Sequence, residues 1–235
     1  MTAIWAIVPA AGSGSRFGGE VPKQYVEVAG RPLIAHALDA LLSHPRVDGA
    51  MVALAPADAR WPGWTSLHGK PVLTCEGGAD RAGSVLAALD ALRERAGDDA
   101  LVLVHDAARP NLDVADLDRL IDVALEMPDG ALLGAPVRDT LKRVDGDRSA
   151  GTQSRDSLWR AFTPQAARLG VLRDALRSAL ADGIAVTDEA MALEHAGLRP
   201  RLVEGREDNI KVTTPADRAL VEYLLRKRFL TPETP

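Results

Sequence analysis

The sequence predicts an α/β protein built on one doubly wound, mostly parallel sheet, with a single β-hairpin projecting from it. Three observations carry this expectation. Strand-length apolar runs alternate with segments of helical period along the chain. A loop containing Gly12, Gly14, Gly18 and Gly19 follows directly on the first apolar run. One stretch, 138–155, breaks the alternation with polar, β-prone residues that turn at Asp145-Gly146. No repeat of 20 to 50 residues is visible, so the 235 residues read as one domain spanning 1–235.

Each element has its own signal. Ala3-Ile4-Trp5-Ala6-Ile7-Val8 is a short apolar run and reads as a buried strand. After the glycine loop, Lys23 to Val28 is short and partly apolar. Gly30-Arg31-Pro32 then opens a helix in which Leu33, Ile34, Ala37, Leu38, Leu41 and Leu42 recur at helical spacing. Gly49 to Ala55 is a second strand, and Pro71 to Cys75 a third. Between them Pro56 to Lys70, rich in Pro, Trp, Gly and Asp, reads as an irregular excursion. A second glycine turn at Gly77-Gly78 feeds a helix with Val85, Leu86, Leu89 and Leu92 on one face.

Ala100 to Val104 is the next strand and ends in His105-Asp106. A helix follows with Val114, Leu117, Leu120, Ile121 and Leu125 in phase, then a strand from Gly130 to Val137. The hairpin runs out along Asp139–Asp147 and returns along Thr152–Trp159. Thr163-Pro164-Gln165 leads into a helix marked by Leu169, Leu172, Leu176 and Leu180. Thr187 reads as the cap of a further helix. Arg201 to Glu204 is the last strand, Asn209 to Val212 a connection, and Pro215 to Phe229 a closing helix with proline at its start.

Composition narrows the function classes. Hydrophobic residues make up 46% and charged ones 26%, an ordinary globular balance. A net charge of −5 argues against a general nucleic-acid or anionic-membrane binder, so any basic site is local. The single cysteine, Cys75, excludes an intrachain disulfide and reads as a buried structural thiol. His36, His44, His68, His105 and His195 show no zinc-ligand spacing. The first apolar run is too short for a signal peptide or a membrane span, which makes the cytoplasm the expected compartment.

Chemistry concentrates in Pro9–Tyr25. Glycines let the backbone approach a ligand and point its N–H groups inward, while Arg16 and Lys23 add fixed positive charge. Such a loop suits a polyphosphate. It is not a P-loop, because its lysine, Lys23, is followed by Gln24 rather than Ser or Thr. It is not a dinucleotide fingerprint either. Phe17 stands where the third glycine belongs, and Leu54-Ala55-Pro56 where the ribose-binding acid belongs. Asp106 closes an apolar strand, a position where a carboxylate can hold Mg²⁺ against a triphosphate.

Seven segments taken together resemble the cytidylyltransferases, most closely the family acting on 2-C-methyl-D-erythritol 4-phosphate in the non-mevalonate isoprenoid pathway. They are Pro9-Ala10-Ala11-Gly12-Ser13-Gly14-Ser15-Arg16, Pro22–Tyr25, Val104–Pro110, Ala135–Thr140, Thr163–Gln165, Thr187–Ala190 and Asp208–Thr213. They span nearly the whole chain in order. The resemblance implies a Rossmann-like sheet of the nucleotidyltransferase type and transfer of CMP from CTP to methylerythritol phosphate, with release of pyrophosphate. A phosphomonoester with a second pKa near ~6 is already largely dianionic at neutral pH, so no general base is required.

By the same resemblance Arg16 and Lys23 stabilise charge at the α-phosphate, and Arg155 and Lys211 position the attacking phosphate. Ala10, Ala11, Gly12 and Gly14 cradle the nucleotide, with Gly78 and Ser84 near the cytosine. Arg109 and Thr140 contact the substrate phosphate. Thr163 either joins them or serves as a turn residue. Asp106 and Asp208 would hold Mg²⁺. The hairpin, at about 138–158, would interlock two subunits of a homodimer, so that Thr140 and Arg155 serve the neighbouring subunit. One departure stands out: the family commonly has an acidic residue directly after the glycine pair, and this chain has Ala79 with Asp80 next. Rival readings are a cytidylyltransferase for ribitol 5-phosphate or another sugar phosphate, and a catalytically silent nucleotide-binding protein. Relatives of the first kind tend to open with a Leu-Ala-Gly-Gly loop in place of Pro9-Ala10-Ala11. Retention of Arg16, Lys23, Asp106, Arg155 and Lys211 counts against the second.

Overall fold

A computed structural model of the chain describes residues 2–12 and 21–230. In chain order the elements are β1 (Ile4–Ala10), the short pair β2 (Glu27–Val28) and β3 (Arg31–Pro32), α1 (Leu33–Leu42), β4 (Gly49–Leu54), β5 (Ser66–Leu67) and β6 (Lys70–Glu76). There follow α2 (Arg81–Ala96), β7 (Leu101–Val104), α3 (Val114–Glu126), β8 (Ala131–Pro136), β9 (Leu141–Asp145) and β10 (Arg148–Gln153). The chain closes with β11 (Trp159–Arg168), α4 (Leu169–Ala181), α5 (Glu189–His195), β12 (Arg201–Glu204) and α6 (Pro215–Leu230).

The main sheet has eight strands in the order β12-β8-β11-β7-β1-β4-β6-β5. The strands β12, β8, β7, β1, β4 and β6 share one direction, while β11 and the edge strand β5 run against it. Successive side chains of a strand point to opposite faces, and β1 shows the consequence. Ile4, Ala6 and Val8 pack with α1 and α3, whereas Trp5 and Ile7 pack with α2, α4 and α5. Helices cover both faces, as doubly wound sheets require. A smaller cluster of Val28, Leu33, Val212, Val221 and Leu225 seats α6 beside β2.

Three sequence expectations are corrected. The segment before α4 is not a lead-in loop but β11, a ten-residue strand inserted between β7 and β8. Proline inside a run argues against a sheet interior because it donates no hydrogen bond. Here Pro164 sits where the ladder to β8 shifts register, between Ala161 and Gln165, and the Thr163–Pro164 peptide is cis. The return strand of the hairpin lies at Arg148–Gln153, earlier than expected, because the turn is tight around Gly146, whose φ is +58°. The cap of α5 is Asp188, whose Oδ1 accepts from the Met191 N–H at 3.0 Å, rather than Thr187.

The hairpin β9–β10 forms a two-stranded sheet of its own, and Val144 on it is 69% exposed. The excursion before β6 is mostly irregular, as expected, yet it has a packing role. Trp61 and Trp64 meet edge to face at 5.2 Å and lie against the core on the α1 side.

The strand that carries Asp106 is the most deeply packed part of this frame, with Leu101, Val102, Leu103 and Val104 fully buried. Leu103→Ala is expected to lower stability by roughly 2–5 kcal/mol, read from the urea midpoint. A change smaller than ~1 kcal/mol would mean that the site's foundation is less tightly packed than the structure indicates.

Candidate active site

In open parallel sheets the ligand crevice lies outside the carboxyl ends of the strands. Here β1, β6 and β7 deliver Ala10–Gly12, Gly78–Arg81 and Asp106–Ala108 to one cleft, and Lys23, Gln24, Ser84 and Lys211 complete its lining. The turn carrying Lys23 is tied to the end of β1, since the Gln24 amide donates to the Ala10 carbonyl at 2.6 Å.

Close approach of backbone builds the glycine turn after β6. A Cβ on Gly77 would lie 2.5 Å from that of Ala11, and one on Gly78 would lie 2.6 Å from the Gly83 carbonyl carbon. The Ser84 hydroxyl accepts from the Gly78 N–H at 3.1 Å and donates to the Asp80 carbonyl at 2.7 Å. Asp80 accepts from the Gly83 N–H at 2.7 Å and so caps α2. Its carboxylate is spent on the helix terminus, and Ala79 is its neighbour on the cleft wall.

Beyond the glycine turn lies a buried cluster of charge. The Asp106 carboxylate receives Arg81 Nε on Oδ1 at 3.1 Å and Lys211 Nζ on Oδ2 at 2.8 Å, with Arg109 Nε 3.5 Å from Oδ2. Burial alone would raise the Asp106 carboxyl, but Arg81, Lys211 and Arg109 outweigh it and hold the group far below the usual carboxylate range. Arg81 also grips Glu189 with both terminal nitrogens, at 2.6 and 3.1 Å. Burial works to lower the Arg81 guanidinium, and Glu189 with Asp106 more than offsets it, so Arg81 stays fully charged. Burial pushes the Glu189 carboxyl up, with Arg81 pulling against it. Arg109 is lowered by burial, and its guanidinium lies over Phe162 while Nη1 donates to the Asn209 carbonyl at 2.7 Å.

A second depression opens on the other side of this cluster, lined by Arg109, Phe162, Thr163, Gln165, Thr187 and Asp188. Arg81, Asp106 and Lys211 line both hollows and form the wall between them. One side therefore offers a glycine-walled cradle, the other a polar, arginine-bearing bay, and the shared wall bears more positive than negative charge. That arrangement suits two anionic groups brought together.

Of the residues singled out in the sequence, Ala10, Ala11, Gly12, Lys23, Gly78, Ser84, Asp106 and Lys211 gather around the first cleft. Arg109 and Thr163 line the second. The Thr163 hydroxyl also accepts from the Asp106 N–H at 3.0 Å and bonds His105 Nδ1 at 3.0 Å, so it fixes the end of β7. Asp208 is not brought to Asp106. Both of its oxygens bind Arg206, at 3.0 and 2.7 Å, in a separate hollow beside Asn111 and Arg228. Thr140 and Arg155 are exposed at the two ends of the hairpin and line neither cleft. Gly14 and Arg16 fall outside the described residues. Among the described residues, no group of three or more His, Cys, Asp or Glu could hold a metal ion.

Sequence reasoning missed Arg81 and Glu189. The signal available was slight: an arginine just after the second glycine turn, and an acid at a helix start that reads equally as capping chemistry. They stand 108 positions apart, and only folding shows that they pair.

Fold and site together are those of a nucleotidyltransferase-type protein, with one hollow at the strand ends and a second across a cationic wall. Residues 4–227 match the family model for 2-C-methyl-D-erythritol 4-phosphate cytidylyltransferase. A protein of that name from Xanthomonas campestris pv. campestris (strain 8004) is 61% identical over 226 residues, covering 96% of this chain and 85% of the relative. Another from Stenotrophomonas maltophilia (strain R551-3) is 60% identical over 227 residues, covering 96% and 98%. The crystal structure of the Francisella tularensis protein of the same name superposes with a TM-score of 0.81 at 32% identity, covering 94% of this chain and 99% of that one. The chain belongs to the 2-C-methyl-D-erythritol 4-phosphate cytidylyltransferase family.

His105, beneath the wall, gives the site a pH signature. Its Nε2 bonds the Arg109 carbonyl at 2.9 Å, and burial depresses its pKa to about 4 from the ordinary 6.5. Between those values the unfolded chain binds the extra proton, so stability rises with pH. The contribution is complete above about pH 6.5 and is lost as pH falls toward about 4, amounting to roughly 3 kcal/mol. Urea unfolding across this range is expected to show that loss, and His105→Asn to flatten it. An equally steep acid limb in the variant would place the effect elsewhere.

Proposed function

We propose that the chain transfers CMP from CTP to the phosphate of 2-C-methyl-D-erythritol 4-phosphate, with the two hollows holding nucleotide and acceptor on either side of Asp106, Arg81 and Lys211. The shared cationic wall is the observation that carries this reading. An acceptor phosphate oxygen forms a bond to the α-phosphorus of CTP while the bond to the pyrophosphate oxygen breaks. The acceptor arrives already ionised, so the residues have no proton to remove. Their task is electrostatic. Lys23 stands in the nucleotide cleft, where charge builds on the α-phosphoryl oxygens, and Arg16 is assigned the same role from the sequence. Lys211 and Arg109 counter the repulsion between the two anions and hold the acceptor in line.

The site suits a divalent cation at one carboxylate. Asp106 is buried, ionised and on the cleft wall, the hard oxygen donor that Mg²⁺ prefers; an ion there would take the place of Lys211 at Oδ2, with substrate phosphates and water as further ligands. When bound, the ion would neutralise charge on the triphosphate. Asp208 lies with Arg206 in a separate hollow, away from Asp106, and does not fit as its partner.

The hairpin is assigned to a homodimer. In support, β9–β10 has an exposed Val144 and no other strand to pair with among the described residues, and Thr140 and Arg155 lie outside this subunit's clefts. On this reading they complete the partner's site. No described helix is long and apolar enough to cross a membrane, and a cytoplasmic location fits the reaction.

Pyrophosphate release from CTP and Mg²⁺ is expected with methylerythritol phosphate and not with ribitol 5-phosphate; release with neither would overturn the enzyme reading. In the same assay Lys23→Ala is expected to lose roughly 100- to 1000-fold in turnover with an unchanged unfolding transition. Removing 145–147 at the hairpin tip is expected to shift the molecular mass in solution from dimer to monomer. A dimer that survives the deletion would refute the arm's role.

A further inference from the structure

We infer that Glu189 is a positioning residue for the transfer, which fixes Arg81 by a bidentate ion pair so that Arg81 sets the Asp106 carboxylate on the wall between nucleotide and acceptor. The inference rests on the reaction proposed above. Glu189 lines neither hollow and is 2% exposed, so it acts only through what it holds. Both of its oxygens engage Arg81, at 2.6 and 3.1 Å, which leaves Arg81 Nε for Asp106 Oδ1 at 3.1 Å. The guanidinium is thus gripped along one edge and presents a single N–H to Asp106.

That geometry has a consequence for the wall. Guanidinium and carboxylate groups favour two parallel hydrogen bonds. An Arg81 without Glu189 would be free to turn its terminal nitrogens onto Asp106 and draw the carboxylate away from Lys211 and the cleft. Glu189 prevents this by occupying them first. Its own place is set by β11: the Gln165 side-chain Oε1 accepts from the Ala190 N–H at 2.7 Å, and Gln165 Nε2 donates to Asp188 Oδ2 at 2.9 Å. A chain of contacts therefore runs from the antiparallel strand, through the first turn of α5 and Arg81, to Asp106.

A buried ion pair is a poor way to stabilise a fold, since apolar residues of similar size often do as well or better. Positioning gives the pair a purpose that stability does not. The test compares wild type, Glu189→Gln and the double variant Arg81→Met/Glu189→Met, measuring kcat, KM for CTP and thermal unfolding. Glu189→Gln is expected to lose about 10- to 100-fold in kcat, with KM for CTP changed by less than about threefold. The double variant, which leaves Asp106 without Arg81, is expected to unfold more easily than wild type and to remain slow when assayed well below its unfolding temperature. Wild-type kcat in either variant overturns the inference, as does a loss that disappears when Glu189→Gln is assayed well below its unfolding temperature. A wild type that releases no pyrophosphate overturns the underlying reading of the reaction and the inference with it. An active wild type beside an equally active Glu189→Gln overturns the inference alone.

Discussion

Asp106 carries its charge in a place where an isolated carboxylate would be too costly to keep ionised. Arg81, Lys211 and Arg109 make it affordable, and each comes from a different part of the chain. Removing one partner from such a cluster leaves a buried charge uncompensated, a loss of roughly 3–5 kcal/mol. The fold must therefore bring the start of α2, the end of β7 and the segment after β12 to one point. Much of the architecture serves that convergence. Gln24 anchors the Lys23 turn to β1, Thr163 pins the Asp106 backbone, and the Arg109 guanidinium spans from Phe162 to the Asn209 carbonyl.

The sheet converts this local demand into two chemically distinct hollows. Parallel strands β1, β6 and β7 end at the same edge, where backbone turns can face a phosphate chain. The antiparallel strand β11 lies beside β7 and brings Phe162, Thr163 and Gln165 to the opposite side of the charged wall. Because β11 also fixes the start of α5, one strand frames the second hollow and orients the acid that clamps Arg81. Membership of the cytidylyltransferase family agrees with this division, since a transferase must seat a donor and an acceptor at once.

Legibility in the sequence followed the range of the physics. The strands β1, β4, β6, β7, β8 and β12 and the helices α1 to α4 show as apolar runs and helical periods, because burial of one face imposes a local pattern, while α5 and α6 show by their start signals. β11 did not show. Its Thr163-Pro164-Gln165 centre lacks an alternating apolar signature, and its place in the sheet rests on pairing with β7 and β8. The glycine turns, Lys23 and Asp106 were visible as residue types after strand ends, and Lys211 only through the family resemblance. The Arg81–Glu189 pair was not, since a charged residue at a helix start reads the same whether it caps the helix or pairs across the molecule.

The sequence by itself determined the class of fold and the glycine turn after β6, because these depend on local backbone freedom and on the period of burial. Tertiary structure alone decided that Asp106 sits among Arg81, Arg109 and Lys211, that Asp208 belongs to Arg206 instead, and that one wall serves two hollows. Charges choose partners by distance and by exclusion of water. Both are set by the packed sheet, which places residues from opposite ends of the chain within one hydrogen bond of each other.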